Sequence, residues 1–547
     1  MSNTEPLTSP SLLQRIFFYL LAVAIILLPL IPLYTKGQDG LAFPMNSLLL
    51  LPLTLLVIAV FVGSLRQTSY QPDVNLKKLL LATAALSLLI ILLNPAQALN
   101  SATVRTAFIL LALLLVQTLY WLKPDKQQLL NVIFIALFIQ LIYGFVQYFF
   151  LYSQEEYFAR YTRPLGAFLQ VNIMATAMAT GLFLSYAMLL RGQLNKLKPL
   201  LFIYVFLCPL MLYLCSSRSA YLATSLGVVL CFAFSGKELL SQHKKFWFTF
   251  AAGIVLAIIF ANTYQAQLRT VEQLMVPGTR YDMYLHSLWM LAQKPLLGWG
   301  FGDYIPQFYY SNLERYNAGD ISTLVSGFSV HPHNEFALWA IEGGIVGLAF
   351  ISFVFFVVLR NLKQSTMQVA NRRIPAGLLV LCPLFVHMMF EHPLYSSSFM
   401  LILLCLLYYV FTDSKTNANP TSAATMTKTG LTICAVASLP ILLITFQSAL
   451  ASSEYVNTGS DVARNRVISE FPSRHYIYQM DLLLDSYYAK QDNDLVALAD
   501  VNQRIRHKLN ELPVQVLATE FKANCEILTN CSQQDLLFID KYFPQQN

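Results

Sequence analysis

Residues 128–151 read QLLNVIFIALFIQLIYGFVQYFFL, a run of 24 residues without one charged side chain. A helix of about 20 apolar residues crosses the hydrocarbon core of a bilayer, so this run is long enough to span a membrane. Its apolar residues are continuous rather than alternating, which excludes a strand of a membrane β-barrel. The stretch therefore predicts a transmembrane helix.

The rest of the chain has the same character. Of its 547 residues, 56% are hydrophobic and 12% are charged, whereas a soluble protein carries about 25% charged residues. We therefore predict an all-α polytopic membrane protein with about thirteen spans. These lie near 12–34, 43–65, 77–93, 104–122, 128–151, 171–190, 199–215, 218–234, 246–262, 335–359, 374–390, 395–411 and 429–450.

Two segments are too polar for a membrane, and they divide the chain into four parts. Nine spans lie in residues 1–262 and four lie in residues 335–450, while the polar segments are a large loop at 263–334 and a tail at 451–547. Within the first part, the division between the spans 199–215 and 218–234 depends only on the polar triplet Ser216, Ser217 and Arg218.

Lysine and arginine are unevenly distributed between the short loops, which predicts the orientation of the spans. One set of alternate loops carries seventeen of these residues and the opposite set carries five. The rich set is expected to be cytoplasmic, which places the N-terminus inside and the large loop, the tail and the C-terminus outside. The five are Lys36, Arg105, Arg160, Arg163 and Arg218. The basic residues are scattered, so the net charge of +7 does not indicate a nucleic-acid partner.

The tail, residues 451–547, has apolar residues at helical spacing, which predicts a small domain of paired helices. These residues include Leu482, Leu483, Tyr487, Tyr488, Leu495, Leu498 and Val501. Cys525 and Cys531 are the only cysteines outside the predicted spans. Because disulfides persist outside the cytoplasm, we expect a Cys525–Cys531 bridge.

Arginine and histidine residues from distant parts of the sequence are predicted to meet at the outer face, where the charge bias disfavours them. The arginine fork matches phosphate oxygens, and arginines around a histidine suit a diphosphate leaving group with a general base. The pattern therefore predicts an anion site. Its candidates are Arg160, Arg163, Arg218, Arg280, His331, His333, Asn334 and Glu391.

Each of these residues also has a structural interpretation. Arg160 could anchor its segment at the membrane interface, and Arg163 and Arg280 could pack loops. His286 and His387 are each a single histidine near an apolar stretch, and we expect both to be structural.

The sequence gives little support for a metal. His331 and His333 are metal-ligand types, but no HExxH motif is present. The acidic triplet 492–494 is similar to the motif of metal-dependent nucleotide-sugar transferases, yet its polar surroundings are typical of a solvated turn. We therefore predict no metal and no cofactor.

The residues HPHNEFAL at 331–338, followed by EGG at 342–344 and Gly347, resemble the signature of the O-antigen ligase and Wzy-type polymerase superfamily. Arg218 matches the span-end arginine of that family, and residues 280–302 are similar to the segment it places earlier in the same loop.

Two further segments resemble the PglL-type bacterial protein O-oligosaccharyltransferases. They are RPLGAFLQVN at 163–172 and FEHPLY at 390–395, and a helical periplasmic tail fits the same group. Val171 stands where that group usually has proline, and His392 interrupts its Glu-x-Pro element. The resemblance covers residues 155–547.

This resemblance implies a metal-independent enzyme of the bacterial inner membrane. It implies that a preassembled oligosaccharide is transferred from undecaprenyl diphosphate to Ser or Thr of an exported protein, such as a pilin, at the periplasmic face. On this hypothesis Arg163, Arg218 and Arg280, with Arg160 beside them, hold the donor diphosphate.

The same hypothesis assigns the proton transfer. His333 takes the proton of the acceptor hydroxyl, His331 and Asn334 position His333, and Glu391 orients a histidine or an arginine. A single in-line displacement would invert the anomeric carbon of the glycan.

Three alternatives remain at this point. The acceptor could be lipid A core, as in a ligase, or a growing glycan, as in a polymerase. A transporter of lipid-linked glycan would be expected to show inverted repeats and mid-membrane charges, and neither is evident. A sensor whose working part is the tail would leave the arginines and His333 without a purpose.

Overall fold

The computed structural model describes residues 12–31, 44–65, 73–93, 101–151, 163–192, 196–264, 280–322, 325, 331–369, 371–414, 422–458, 460–466, 474–511, 513–529 and 531–543. Its helices are α1 Leu12–Ile26, α2 Pro44–Leu65, α3 Val74–Leu93, α4 Ser101–Leu122, α5 Lys126–Val146, α6 Val171–Arg191, α7 Lys198–Cys215, α8 Arg218–Gln242, α9 Lys244–Tyr264, α10 Arg280–Gln293, α11 Tyr304–Asn317, α12 Glu335–Gln364, α13 Ala376–Met388, α14 Pro393–Ser396, α15 Ser398–Phe411, α16 Ser422–Thr458, α17 Asp461–Asn465, α18 Arg474–Gln491, α19 Leu495–Glu511, α20 Gln515–Leu528 and α21 Gln533–Tyr542.

The predicted all-α membrane fold is confirmed. In the described part of the chain the only strands are β1, Met367–Val369, and β2, Arg372–Ile374, which form one antiparallel hairpin. Among the described residues, seven helices, α4 to α9 and α12, are long and apolar enough to cross a membrane. Five shorter apolar helices lie in α1, α2, α13, α15 and α16, and α3 coincides with the remaining predicted span.

The division of the stretch 199–234 is also confirmed. Helix α7 ends at Cys215 because Ser216 adopts the left-handed conformation, with φ 47°. Helix α8 then begins at Arg218, with Ser217 as its N-cap residue in an extended conformation. The polar triplet therefore separates two helices.

Helix α6 occupies the centre of the bundle. Seventeen of its 21 residues are buried, and it packs against α5, α7, α8 and α13. Its small residues let neighbours approach closely: a Cβ at Gly181 would collide with the Tyr204 ring. Small residues serve this purpose in membrane helices, where close packing replaces the hydrophobic effect as the driving force.

The bundle has two distinct ends. At one end, which we call the site end, the N-termini of α6, α8 and α12 meet the C-termini of α7 and α13. At the other, the distal end, Lys126 donates hydrogen bonds to Thr412 O at 2.7 Å and to Asp413 Oδ1 at 2.8 Å. Arg191, next to another lysine- and arginine-rich loop, donates to Val410 O of α15 at the same end.

The described parts of the large loop and of the tail form helices that contact each other. Helix α11 of the loop places Tyr309 and Tyr310 against the tail core, and the Tyr309 hydroxyl donates to Tyr542 O at 3.3 Å. The Tyr309 ring stacks on Phe543 with 5.7 Å between centroids. The tail therefore sits on the loop that leads to the site end.

The tail is built from α17 to α21, as the apolar spacing predicts, and Cys525 and Cys531 are joined by a disulfide. Leu482, Leu498 and Val501 are buried in its core. Tyr487, Tyr488 and Leu495 have the same spacing but remain exposed, so helical spacing did not identify the buried face by itself.

Candidate active site

The segment 163–168 is held at the site end by two glutamines of the α5 region. Gln147 Oε1 accepts from the backbone N–H of Gly166 at 2.8 Å, and its Nε2 donates to Gly166 O at 3.0 Å. Gln140 Oε1 accepts from Ala167 N–H at 3.0 Å. Gly166 has φ +61°, a conformation that side chains disfavour. The Arg-Pro-Leu-Gly motif is thus a tight turn with satisfied backbone groups.

This turn carries Arg163 to the end of α7. Its Nη1 donates to the carbonyl of Cys215 at 3.3 Å, where the helix dipole favours a cation. Arg218 begins α8 three residues further along the chain and is exposed. The structure therefore brings these two predicted site residues to one junction.

The α7–α8 junction is connected to Glu391 by polar side chains. Ser217 Oγ donates to Asn172 Oδ1 at 2.8 Å. Asn172 Nδ2 in turn donates to Glu391 Oε1 at 3.4 Å. The residue before Arg218 is therefore two hydrogen bonds away from the carboxylate at the centre of the site.

The His331–Asn334 segment is fixed by the start of α12. Asn334 is the N-cap: its Oδ1 accepts from Ala337 N–H at 2.9 Å, and its Nδ2 donates to Met389 O at 2.9 Å. Both polar atoms of Asn334 are thus used to hold the segment, which is a positioning role. The preceding His333 adopts the left-handed conformation, with φ 51°.

Two side chains besides Asn172 donate hydrogen bonds to Glu391. Its Oε2 accepts from His333 Nδ1 at 2.8 Å, and Arg280 Nη2 donates to its Oε1 in an ion pair. The carboxylate is 5% exposed, whereas the side chains of His333 and Arg280 are 28% and 35% exposed. The charge of Glu391 is therefore buried, while its two partners reach solvent.

A second carboxylate–histidine pair lies behind the first. Glu335 Oε2 accepts from His392 Nδ1 at 2.6 Å, and Glu335 Oε1 accepts from Trp339 Nε1 at 3.0 Å. Both pairs connect the same two segments. His333 and Glu335 lie in one segment, and their respective partners, Glu391 and His392, are adjacent residues of the other. This reciprocal pairing joins the two segments.

His331 lies between the two pairs. Its ring centroid is 4.6 Å from that of His333 and 4.4 Å from that of His392. Its Nδ1 accepts from the backbone N–H of His333 at 3.2 Å. Burial, together with the charges of His392 and His333, holds the pKa of His331 well below its usual value. His331 is therefore neutral at physiological pH.

The groups around Glu391 also determine its protonation state. Burial raises the pKa of Glu391, but the hydrogen bond from His333 and the charges of His333 and Arg280 outweigh it. The net effect is a pKa below the usual value, so the carboxylate is ionised at neutral pH. An ionised carboxylate only accepts hydrogen bonds, so His333 Nδ1 carries the proton. His333 Nε2 is then an acceptor when the ring is neutral.

A third buried carboxylate, that of Glu342, lies where the large loop contacts α12. Glu342 forms an ion pair with Arg105 close to a kink in α12 at Gly344, which has φ 58°. The loop donates across the kink, from Trp299 N–H to Ile341 O at 2.8 Å and from Gly300 N–H to Glu342 O at 3.1 Å. The loop thus satisfies carbonyl groups close to the kink.

One set of groups has metal-ligand types. Within the described residues, His331, His333 and Glu391 are the one such group, with ligand atoms within 4.8 Å of one another. Both oxygens of Glu391 already accept hydrogen bonds from cationic or neutral donors. A metal would have to displace His333 or compete with the adjacent Arg280 guanidinium. These three residues therefore fit a hydrogen-bonded carboxylate better than a metal site.

Two other histidines are held by structural contacts, as expected. Arg315 Nη1 donates to His286 Nδ1 at 3.0 Å, and His286 Nε2 donates to Ser311 Oγ at 2.9 Å. Burial and the Arg315 charge lower the pKa of His286 to about 4. His387 is buried in α13 with its Nδ1 2.8 Å from Thr176 Oγ1.

The structure thus brings together His331, His333, Asn334, Arg280 and Glu391, with Arg163 and Arg218 at the adjoining junction. Arg160 lies outside the described residues. Sequence reasoning gave no role to Asn172, Ser217 or the Glu335–His392 pair. Asn172 lay within the quoted 163–172 motif, which was the available signal for it.

Part of the chain matches a known protein family. The O-antigen ligase family profile matches residues 203–352. The matched segment contains Arg218, Arg280 and His333. No curated protein matches the chain.

Proposed function

We propose that this protein is an oligosaccharyltransferase for O-linked protein glycosylation. It transfers a preassembled oligosaccharide from undecaprenyl diphosphate to Ser or Thr of an exported protein, such as a pilin, without metal or cofactor. The reaction takes place at the periplasmic face of the bacterial inner membrane. The lysine- and arginine-rich loops at the distal end support this orientation.

The observation that carries the proposal is the hydrogen bond between Glu391 and His333 beside Arg280. Glu391 holds the proton on Nδ1, so that Nε2 can accept another. A carboxylate that orients a histidine and stabilises the imidazolium is a recurring device for activating hydroxyl groups. The partial exposure of His333 leaves room for such a hydroxyl.

The chemical step follows from this arrangement. His333 Nε2 accepts the proton of the acceptor hydroxyl while the hydroxyl oxygen bonds to the anomeric carbon of the glycan. The bond from that carbon to the diphosphate oxygen breaks, and undecaprenyl diphosphate leaves with the electron pair. Attack from the side opposite the leaving group inverts the anomeric carbon.

Arginines stabilise the negative charge of the leaving group. Arg218 and Arg163, at the α7–α8 junction, offer permanent positive charge where the diphosphate develops negative charge. Arg280 serves the donor with the part of its guanidinium that is not bonded to Glu391. The diphosphate is already an activated leaving group, so no divalent cation is needed.

The position of the tail favours a large acceptor. Helix α11 contacts both the tail and α12, whose N-terminus holds the site. A helical domain at this position offers a surface beside the site on which an acceptor protein can dock. This supports a protein acceptor over a growing glycan.

Reconstitution tests the proposal. The purified protein is mixed in EDTA with lipid-diphosphate-linked oligosaccharide and, in parallel, with a candidate pilin, lipid A core or a glycan acceptor. The proposal predicts a gain of one oligosaccharide mass on the pilin and none on the other acceptors. Arg218→Ala should abolish transfer at equal protein level, whereas Arg360→Ala, at an exposed position of the distal end, should not.

Other outcomes are equally informative. Donor transferred only to lipid A core would make the protein a ligase, and donor polymerised would make it a polymerase. No consumption of donor with any acceptor would favour a transporter. A requirement for divalent metal would contradict the metal-independent chemistry.

A further inference from the structure

Tyr284 lies on α10 of the large loop, one helical turn beyond Arg280. Residues four apart are neighbours on one face of a helix, and here both side chains contact the active site. Arg280 forms an ion pair with the Glu391 carboxylate, and the Tyr284 hydroxyl donates to His333 O at 3.0 Å. One helix of the loop therefore contacts both members of the Glu391–His333 pair.

The Tyr284 hydroxyl lies where the two segments of the site meet. It is 3.5 Å from Met389 O, and that carbonyl also accepts from Asn334 Nδ2 at 2.9 Å. Burial raises the pKa of Tyr284, and the charge of Arg280 offsets this only in part. The hydroxyl therefore keeps its proton at neutral pH and acts as a donor.

The backbone of His333 needs support from its surroundings. Its φ of 51° lies in the left-handed region, which residues with a side chain seldom adopt. Such a conformation persists only where surrounding contacts require it. The His333 N–H donates to His331 Nδ1 at 3.2 Å, and Tyr284 binds the His333 carbonyl. The two contacts hold the residue from both of its peptide groups.

This backbone conformation determines where the His333 ring points. The ring meets Glu391 Oε2 through Nδ1 at 2.8 Å, which leaves Nε2 for an acceptor hydroxyl. If His333 relaxed to a more common φ, the direction of its side chain would change and the ring would leave the carboxylate. A misplacement of about 1 Å can cost about 10²-fold in rate.

We propose that Tyr284 is a positioning residue for glycan transfer: its hydroxyl holds the His333 backbone in the conformation that directs the ring to Glu391. This rests on the proposed function, in which His333 accepts the proton of the acceptor hydroxyl. Because Tyr284 acts through His333, its loss should lower kcat and leave KM for the donor unchanged.

The same helix offers a matched control for the test. Tyr281 is 59% exposed, so Tyr281→Phe removes the same hydroxyl group from a solvent-facing position. The thermal midpoint, kcat and KM are compared for the wild type and both variants. Tyr284→Phe should lower kcat about tenfold or more, whereas Tyr281→Phe should match the wild type. Equal kcat in the two variants, or a change confined to KM, would overturn the proposal.

A double variant separates positioning of His333 from general damage. Residues that act as a unit give strongly non-additive losses. Tyr284→Phe added to His333→Ala should therefore not lower the residual transfer further, when transfer is followed over long incubations. A further loss as large as that in the wild-type background would show that Tyr284 acts independently of His333, which would overturn the proposal.

A second measurement covers the case in which Tyr284→Phe does not fold. A fluorinated tyrosine, whose hydroxyl ionises at lower pH than that of tyrosine, replaces Tyr284 or Tyr281. An ionised phenol has lost its proton and only accepts hydrogen bonds. Transfer by the protein substituted at 284 should therefore decline as pH rises through this ionisation, while the protein substituted at 281 follows the wild type. Identical pH profiles would overturn the proposal.

The two proposals can fail separately. If the wild type transfers glycan to none of the acceptors, the proposed function fails. If the wild type transfers glycan and Tyr284→Phe is as active as Tyr281→Phe, the proposed function stands and Tyr284 does not position His333.

Discussion

The two carboxylate–histidine pairs at the site end have the same chemistry and different surroundings. In both, a carboxylate oxygen accepts from histidine Nδ1, at 2.8 Å for Glu391–His333 and 2.6 Å for Glu335–His392. The side chain of His333 is 28% exposed and that of His392 is 2% exposed. Only the first pair can present its second ring nitrogen to a substrate.

The other hydrogen-bond partners of the two carboxylates also differ in how close they lie to solvent. Glu391 also accepts from Arg280 and Asn172, which connect it to solvent and to the α7–α8 junction. Glu335 accepts from Trp339 inside the bundle. The reachable pair is therefore suited to proton transfer, while the buried pair holds the two segments together.

The largest effect is expected for His333→Ala. Loss of a general base typically costs about 10²–10⁴ in rate, so kcat should fall by that factor while the thermal unfolding midpoint changes little. Steady-state transfer assays and thermal unfolding in detergent would check this. His507→Ala, an exposed tail histidine, is the matched control and should retain full activity.

Glu391→Gln should have the next largest effect. The amide keeps the shape but removes the charge that fixes the His333 proton and pairs with Arg280, so kcat should fall by about 10² or more. Donor transfer measured across pH would check it. Unchanged kcat in a folded Glu391→Gln protein would show that the reachable pair does not act in transfer.

His392→Phe should act on stability first. The variant leaves one oxygen of the buried Glu335 carboxylate without its hydrogen-bond donor, which costs about 1–3 kcal/mol, so the thermal midpoint should drop clearly. His392→Asn keeps a donor close to the Nδ1 position and should recover much of the loss. If Asn and Phe were equally destabilising, the hydrogen bond to Glu335 would not be the stabilising contact.

The smallest effect concerns pH and His331, which lies between the pairs. In the unfolded chain its pKa is about 6.5, and in the folded protein burial lowers it. Below that pH the unfolded state therefore binds a proton that the folded state excludes, so the free energy of unfolding falls as pH falls.

His331→Asn should remove part of this dependence, because asparagine does not titrate. Thermal midpoints measured from neutral to mildly acidic pH should decline less in the variant than in the wild type. Parallel curves would indicate that other groups dominate the acid destabilisation.

The fold was largely predictable because each span is a local apolar run. The run 128–151 and the break at Ser216 need no knowledge of distant residues. The same applies to the tail helices, whose apolar residues repeat at helical spacing. However, spacing did not reveal that Tyr487 and Tyr488 remain exposed, since that depends on which helices pack beside them.

The sequence predicts which residue types form the site, but it does not predict which of these residues pair with each other. Arginine and histidine at one predicted face indicated an anion site. That Arg280 binds Glu391, or that His392 binds Glu335, depends on packing between segments more than 50 residues apart. Asn334 is likewise used as a helix cap, which the motif alone does not distinguish from contact with substrate.

Chemical rescue tests the central claim most directly. Imidazole is added to His333→Gly and His392→Gly proteins, and glycan transfer is measured in EDTA. The reachable pair should allow imidazole to enter the vacated space, so that transfer by His333→Gly rises with imidazole concentration while His392→Gly does not respond. Rescue of His392→Gly alone, or equal response of both, would contradict the assignment of proton transfer to the Glu391–His333 pair.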